Sequence, residues 1–361
     1  MKRRHFLTAA GVAAAAAVGR PAIAQSMPQL RWRLTSSFPK SLDILNDATE
    51  TMSRLVAEAT DNRFQIQTFA AGEIVPALQA VDAVSNATVE MCYTAPYYFV
   101  GKDPTFALIC AMPFGLNGRQ QNAWFYDGGG LKLANAFLGR FNVLTLPGGN
   151  TGTQMGGWFR KEVNQPDDIR GLKFRIGGFA GRTIQKLGGV PQQIPAGDIY
   201  PALERGTIDA AEWIGPYDDE KLGFTKVARY YYFPGWWEGG AATHFMINLA
   251  KWNELPKAYQ TIMTVAAGTI NADVQAKYDA RNPAALKRLI AGGAELRPFS
   301  PSIMEASFKA ANEVYAETTA SNADFKKIYD SIVAFRDQEY LWWQVAEYSY
   351  DTFMIRARTR S

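Results

Sequence analysis

Arg175 closes the stretch Gly171-Leu-Lys-Phe-Arg175-Ile-Gly-Gly, and Asp209-Ala-Ala-Glu212-Trp213-Ile-Gly begins 34 residues beyond it. A guanidinium presents two parallel N–H donors that match a carboxylate, a geometry no lysine reproduces. One arginine beside a run of oxygen donors reads as a trap for small organic acids rather than as catalytic machinery. Other chemistries are thinly provided for. Beyond the first 24 residues His244 is the only histidine, so a multi-histidine zinc site is excluded. A catalytic triad or His–Cys pair would rest on His244 alone. Cys92 and Cys110 are the only cysteines, and their apolar surroundings predict two buried, unpaired thiols. No glycine cluster fits Gly-x-Gly-x-x-Gly or precedes Lys-Ser/Thr, so nucleotide binding is dismissed.

The elements that would position Arg175 follow a repeating pattern. Alternating Leu30-Arg-Trp32-Arg-Leu34 predicts a strand, and Ile44, Leu45, Met52, Leu55, Val56 and Ala59 mark one helix face. A strand at Phe64–Thr68, a helix after Pro76 and a strand at Val89–Tyr93 continue the series. A second set comprises strands at Gly171–Ile176, Val190–Ile194 and Thr207–Glu212, separated by helices at Phe179–Leu187 and Asp198–Arg205. Such alternation means parallel sheet with crossover helices. Ligands gather outside the carboxyl ends of these strands, where Arg175 lies.

Glycine-rich Leu146–Gln154 and Phe233–Gly240 are the expected crossovers between two lobes, with Thr243–Leu249 returning to the first sheet. Beyond Lys251 the pattern is helical: Pro256–Ala280, Pro283–Gly292, Pro301–Tyr315 and Asn322–Tyr350. The last carries the stripe Phe325, Ile328, Ile332, Phe335, Trp342 and Trp343. It is read as a helix packed across the lobes, or more sharply as a dimer contact. The expected class is α/β: a two-lobed periplasmic-binding-protein-like fold, mostly parallel sheets with flanking helices and a long C-terminal helix. Lobe I is assigned to 28–148 completed by 240–275, lobe II to 149–238, and the C-terminal helices to 276–361.

Residues 1–24 read as a cleaved export signal. Lys2-Arg3-Arg4 leads into the apolar run Leu7–Val18, and Ala22-Ile-Ala24 precedes Gln25. About 12 apolar residues fall short of the ~20 that span a bilayer. The twin arginine fits Tat export, with an ordinary Sec signal as the plainer alternative. The chain has 38 basic and 34 acidic residues, and the leader holds Lys2, Arg3, Arg4 and Arg20 with no acid. The remainder carries 34 of each sign, which offers no case for nucleic acid or anionic lipid.

Four segments in order, Ala111-Met-Pro-Phe-Gly-Leu, Gly171-Leu-Lys-Phe-Arg-Ile, Gly188-Gly-Val-Pro and Ile199-Tyr-Pro-Ala-Leu-Glu-Arg-Gly-Thr-Ile-Asp-Ala-Ala-Glu-Trp, resemble the periplasmic substrate-binding component of a TRAP transporter. The resemblance covers Leu30–Tyr350. Glu212-Trp213-Ile-Gly-Pro-Tyr-Asp-Asp219-Glu220 is similar to the branch that binds 2-oxo or 2-hydroxy monocarboxylates with a metal cation. The resemblance implies lobes that close on a ligand and deliver it to integral membrane TRAP permease subunits, driven by an ion gradient. In that branch the C-terminal helix can swap between protomers to form a homodimer.

It further implies that Arg175 holds the substrate carboxylate. Gln154, Glu212 and the carbonyl of Trp213 would bind Na⁺ or Ca²⁺, with Glu238 as a further ligand; such hard oxygen donors suit these ions and not zinc. Gln154 would also touch the substrate through that ion. Tyr97 and Asn150 are candidate donors to substrate oxygens, each equally readable as structural, and Phe38 is a candidate apolar wall. Trp236 and Trp237 read as core at the hinge, or as a lid. Two rival functions stand beside the receptor: a periplasmic lyase or glycosidase using Glu212 and Glu238 as paired acids, and the receptor of an ATP-driven carboxylate transporter.

Overall fold

A computed structural model describes residues 27–358; the leader and its cleavage site lie outside them. The strands are β1 (Leu30–Ser36), β2 (Phe64–Phe69), β3 (Met91–Thr94), β4 (Val143–Asn150), β5 (Gly157–Phe159), β6 (Lys173–Arg175), β7 (Val190–Gln192), β8 (Ala210–Ala211), β9 (Tyr230–Phe233), β10 (Ala242–Asn248) and β11 (Glu295–Pro298). They form a five-stranded sheet, β2-β1-β3-β10-β4, and a six-stranded sheet, β11-β9-β5-β8-β6-β7.

Each sheet has a parallel block where the alternation predicted one: β2-β1-β3 in the first and β8-β6-β7 in the second. The strands that carry the chain between sheets enter antiparallel, β10 between β3 and β4 and β5 between β8 and β9. Both sheets are therefore mixed. Along β1 the alternation resolves as expected, with Trp32 and Leu34 buried and Arg31 and Arg33 outward.

Two readings are corrected. Leu146–Gln154 is not all crossover, because its first half belongs to β4, paired along its length with β10. A register shift between Thr243 and His244 leaves Gly148 as a bulge, and a Cβ there would lie 2.5 Å from the Phe245 ring. Its glycine serves close packing of a strand, not the freedom of a loop. The helices expected on either side of Pro283 are one helix, Lys257–Ala291, 35 residues long. Packing overrides the local cost of an internal proline, because this helix lies along β4 and along the Asp43–Ala59 helix and buries Tyr259, Met263, Ile270, Val274 and Tyr278.

The C-terminal helix is interrupted at Ala346, giving Ala323–Val345 and Glu347–Ala357. Its first half docks on both sheets' helices: Phe325 stacks on Phe179, and the Trp124 indole donates to Ser331 Oγ at 3.1 Å. Its second half leaves Leu341, Trp342, Val345, Tyr348 and Phe353 exposed. No described helix is long and apolar enough to cross a membrane.

Cys92 and Cys110 are buried and unbonded to each other. His244 is buried in β10 with Nδ1 at 2.9 Å from Thr145 Oγ1, and burial lowers its pKa to about 3, so it is a neutral core residue. Trp237 packs on Phe174 and Phe299, and Trp236 stacks on Phe114. Both are core beneath the second crossover.

Candidate functional site

Arg175 and Glu212 reach the same place because β6 and β8 run parallel in register, Arg175 opposite Ala211. The Glu212 N–H donates to the Arg175 carbonyl at 3.1 Å, which fixes the two side chains beside each other at the strand ends. Arg175 is fully buried. Its Nη1 donates to the Glu212 carbonyl at 2.6 Å and also to Glu212 Oε1, while Nε donates to the Ile194 carbonyl at 3.2 Å. The guanidinium lies over the Trp213 ring, 4.9 Å from its centroid. Its second terminal nitrogen, Nη2, has no protein partner.

The acceptors opposite it are left in the same condition. Glu212 Oε1 accepts from Arg175 and from the Gly177 N–H at 3.1 Å, but Oε2 accepts nothing. Gln154 Nε2 donates to Thr151 Oγ1 at 3.2 Å and leaves Oε1 unpartnered. Glu238, tied to Gln154 through its carbonyl (3.1 Å), leaves Oε2 unpartnered. Burying polar atoms without partners costs a few kcal/mol each, so their convergence is unlike a finished core. Burial pushes the Glu212 carboxyl upward against the nearby Arg175 charge. Burial pushes Glu238 well above the carboxylate range, and the Glu212 charge adds to it.

These oxygens fit a hard cation. Two carboxylates that resist ionising together, plus an amide oxygen, match the donor set that calcium or sodium accepts. Among the described residues no group of three or more His, Cys, Asp or Glu is placed to hold a metal ion, so a cation here would need amide and carbonyl oxygens as well.

The facing wall comes from the first sheet. A small cavity of about 10 Å³, room for roughly one water, is lined by Phe38, Tyr97, Tyr98, Gln154, Trp213 and Thr243, among others. Tyr97 reaches across to Gly177-Gly178: a Cβ on Gly177 would lie 2.7 Å from its ring, and one on Gly178 (φ +60°) 2.8 Å from its Cβ. Only glycines permit that approach. The structure thus brings Arg175, Gln154, Glu212, Trp213, Glu238, Tyr97 and Phe38 together. It does not bring Asn150 with them. The Asn150 amide donates to Gln121 Oε1, on the Gly118–Tyr126 helix, at 2.7 Å and accepts from the Gly152 N–H at 2.9 Å, so its two polar ends are engaged by that helix and by the crossover.

Two supports were not read from the sequence. Asp219 is fully buried and accepts from Ile214, Trp158 and Tyr231. Asp43, on the first sheet's leading helix, accepts from Tyr217, Lys221 and Arg281. The only local signal for Asp219 was its place just after Glu212-Trp213-Ile-Gly.

The bacterial extracellular solute-binding protein family 7 (DctP) profile matches residues 35–322. The chain belongs to this family. A monocarboxylate 2-oxoacid-binding periplasmic protein of Nostoc sp. is 47% identical over 360 residues, covering 98% of this chain and 99% of its own. A TRAP transporter solute-binding protein from Bordetella bronchiseptica RB50, described as a mixed-occupancy dimer with copurified calcium and picolinate, is 47% identical. Its TM-score is 0.91, over 92% of this chain and 99% of that one. A TRAP periplasmic protein from Pseudoalteromonas atlantica T6c with bound sodium and pyruvate is 39% identical, with TM-score 0.87 over 89% and 98%. The receptor is therefore a TRAP-type solute-binding protein with the expected two-lobed fold, and not an enzyme. The paired-acid hydrolase and ATP-driven readings fall away.

Proposed function

We propose that this receptor captures a 2-oxo or 2-hydroxy monocarboxylate of pyruvate size, together with Na⁺ or Ca²⁺, and delivers it in the periplasm to TRAP permease subunits. The observation that carries the reading is a set of buried unpartnered atoms, one guanidinium nitrogen of Arg175 and one oxygen each of Glu212, Gln154 and Glu238; the charges of Arg175, Glu212 and Glu238 act on one another. Arg175 Nη2, with Nη1 released from Glu212, matches a substrate carboxylate. A bound cation would supply positive charge to Glu212, Gln154, Glu238 and the Trp213 carbonyl and to the substrate's oxygens. Phe38 and Tyr97 would wall off the substrate's carbon end, and Asn150 would keep the crossover in shape. Relatives described with sodium and pyruvate or with calcium and picolinate support this assignment.

In this reading lobe I is 28–148 with 240–275 and lobe II is 149–238; 276–361 spans both, finishing the long Lys257–Ala291 helix on the first and adding β11 to the second sheet. Residues 1–24 direct export, with cleavage after Ala24. The exposed aromatic half of the C-terminal helix packs against a second copy, in keeping with the dimeric Bordetella relative.

Isothermal titration with pyruvate, in Ca²⁺, in Na⁺ and after chelation into a potassium buffer, tests the ligand claim. Binding that requires one of the two ions supports it, and equal affinity in all three buffers refutes the cation. Sedimentation of the full mature chain, alone and with Trp342→Glu, tests the dimer.

A further inference from the structure

Behind the cation-facing turn, Asp219 sits on the Pro216–Leu222 helix with no exposed surface. Three neutral donors converge on its carboxylate. Oδ2 accepts from the Trp158 indole at 3.0 Å and the Tyr231 hydroxyl at 2.7 Å, and Oδ1 accepts from the Ile214 main-chain N–H at 3.3 Å. The Ile214 carbonyl is held from the other side by the Met155 N–H at 3.0 Å. Both main-chain groups of Ile214 are thus committed, one to a buried carboxyl and one to the first crossover next to Gln154. The peptide so pinned joins Ile214 to Trp213, and its carbonyl is the Trp213 oxygen.

A buried carboxyl is expensive unless its acceptors are used, and here both Asp219 oxygens are. Trp158 and Tyr231 already stack on each other, 4.0 Å between centroids, and need no acid to pack. What the carboxylate adds is direction. We infer that Asp219 is a positioning residue for the cation: by holding the Ile214 N–H it turns the Trp213 carbonyl toward Glu212 and Gln154. The inference rests on the receptor reading of the cleft. Asp218 beside it has a different partner, Tyr278 of the long helix at 2.8 Å, and is outside the proposal.

The two oxygens separate the roles. Asp219→Asn can keep its single carbonyl oxygen toward Trp158 and Tyr231, but then turns an NH₂ toward the Ile214 N–H, two donors face to face. Trp158→Phe and Tyr231→Phe do the reverse, deleting one packing-side donor and sparing the Ile214 tie. The mature protein is titrated with Ca²⁺ at fixed pyruvate by calorimetry, and with terbium alone by indole-sensitised luminescence, alongside thermal melts.

Asp219→Asn is expected to raise the half-saturating ion concentration about tenfold or more, the usual result of losing a ligand's supporting partner. Trp158→Phe and Tyr231→Phe are expected to lower the melting temperature and leave ion half-saturation where it was. Should Asp219→Asn not fold, Asp219→Glu, which keeps the charge and displaces it by one methylene, is expected to weaken ion binding in the same direction. The inference is overturned if ion half-saturation stays at the wild-type value in the folded Asp219 variant, or shifts equally in the two Phe variants. Wild-type pyruvate binding that ignores the ion would instead overturn the cation reading, and the inference with it.

Discussion

The two walls of the cleft are built on opposite terms. On the first sheet's side the small polar side chains near the cavity are spent: Ser37 Oγ on Thr94 and the Ala77 carbonyl, Thr243 Oγ1 on the Tyr93 hydroxyl, Asn150 on Gln121 and Gly152. What remains toward the cavity is aromatic, Phe38, Tyr97 and Tyr98. On the second sheet's side and its crossovers, Arg175, Glu212, Gln154 and Glu238 each keep one buried polar atom without a partner. Under the proposed function this contrast gives charge recognition to lobe II and selection by size and shape to lobe I.

The largest break in that contrast is Arg175→Ala. It leaves an anionic guest and Glu212 without their shared cation, at a cost on the order of 3–5 kcal/mol. Calorimetry with pyruvate should show binding lost or weakened more than a hundredfold. Arg175→Lys is expected to recover little, since an ammonium cannot address two oxygens in parallel. Near-normal affinity in either variant would move charge recognition out of lobe II.

Glu238→Gln comes next. Burial and the Glu212 charge hold the Glu238 carboxyl well above its usual range, so proton and cation compete for it. Cation affinity should weaken as pH falls through the Glu238 value, and Glu238→Gln should reduce that dependence to the part owed to Glu212 while costing about 10- to 100-fold in ion affinity. Stability without the ion runs the other way. A carboxyl raised above its unfolded value of ~4.3 contributes stability that is fully present below that pH and lost as pH rises through the folded value. The ion-free melting temperature should decline with rising pH, and calcium should flatten the decline. A pH-independent ion affinity in the wild type would detach Glu238 from the site.

How much of this contrast was legible beforehand depends on the range of the interaction. The parallel blocks were readable because each strand carries its own hydrophobic pattern beside its own helix. β5, of three residues, is too short to show a period, whereas β8 was read as the longer Thr207–Glu212, of which two residues pair. β4 hides behind Pro147-Gly148-Gly149, whose purpose is visible only once Phe245 is known to lie against it. Arg175, Gln154 and Glu212 were named through family resemblance and strand-end logic. Asn150 shows the limit of that logic: it stands at a strand end near the cleft, yet Gln121 from a distant helix claims its amide. Asp219 has the same character, since Trp158 approaches from a strand 61 residues away.

A smaller effect sharpens the lobe I side. Phe38 is 2% exposed and meets Tyr93, Tyr98 and Trp213 through its ring. Phe38→Leu removes part of the wall without touching a charge. The ratio of affinities for a branched 2-oxo acid and pyruvate should move toward the branched one by about 1 kcal/mol, with ion half-saturation unchanged. A shift in ion half-saturation instead would mean the two walls are not separable.

The smallest effect concerns how the walls are kept together. Asp43, at the start of the Asp43–Ala59 helix of the first sheet, accepts from the Tyr217 hydroxyl at 2.8 Å, from Lys221, and from Arg281 at 3.1 Å. Tyr217 and Lys221 lie on the helix that follows the Glu212–Trp213 turn, and the Lys221 ammonium sits 4.0 Å from the Tyr217 ring centroid. This cluster ties the first sheet's helix to the helix that follows the Glu212–Trp213 turn. With its side chain 39% exposed, Asp43 makes pairs worth roughly 0–1 kcal/mol, weakened further by salt. Asp43→Asn keeps an acceptor for Tyr217 and deletes the charge, so pyruvate should dissociate about two- to fivefold faster by stopped-flow. Raising ionic strength should reproduce that acceleration in the wild type and add nothing in the variant. An unchanged off-rate would place closure on buried contacts alone, above all the Tyr97 ring seated on Gly177-Gly178, where a Gly177→Ala change should then open the cleft and Asp43→Asn should not.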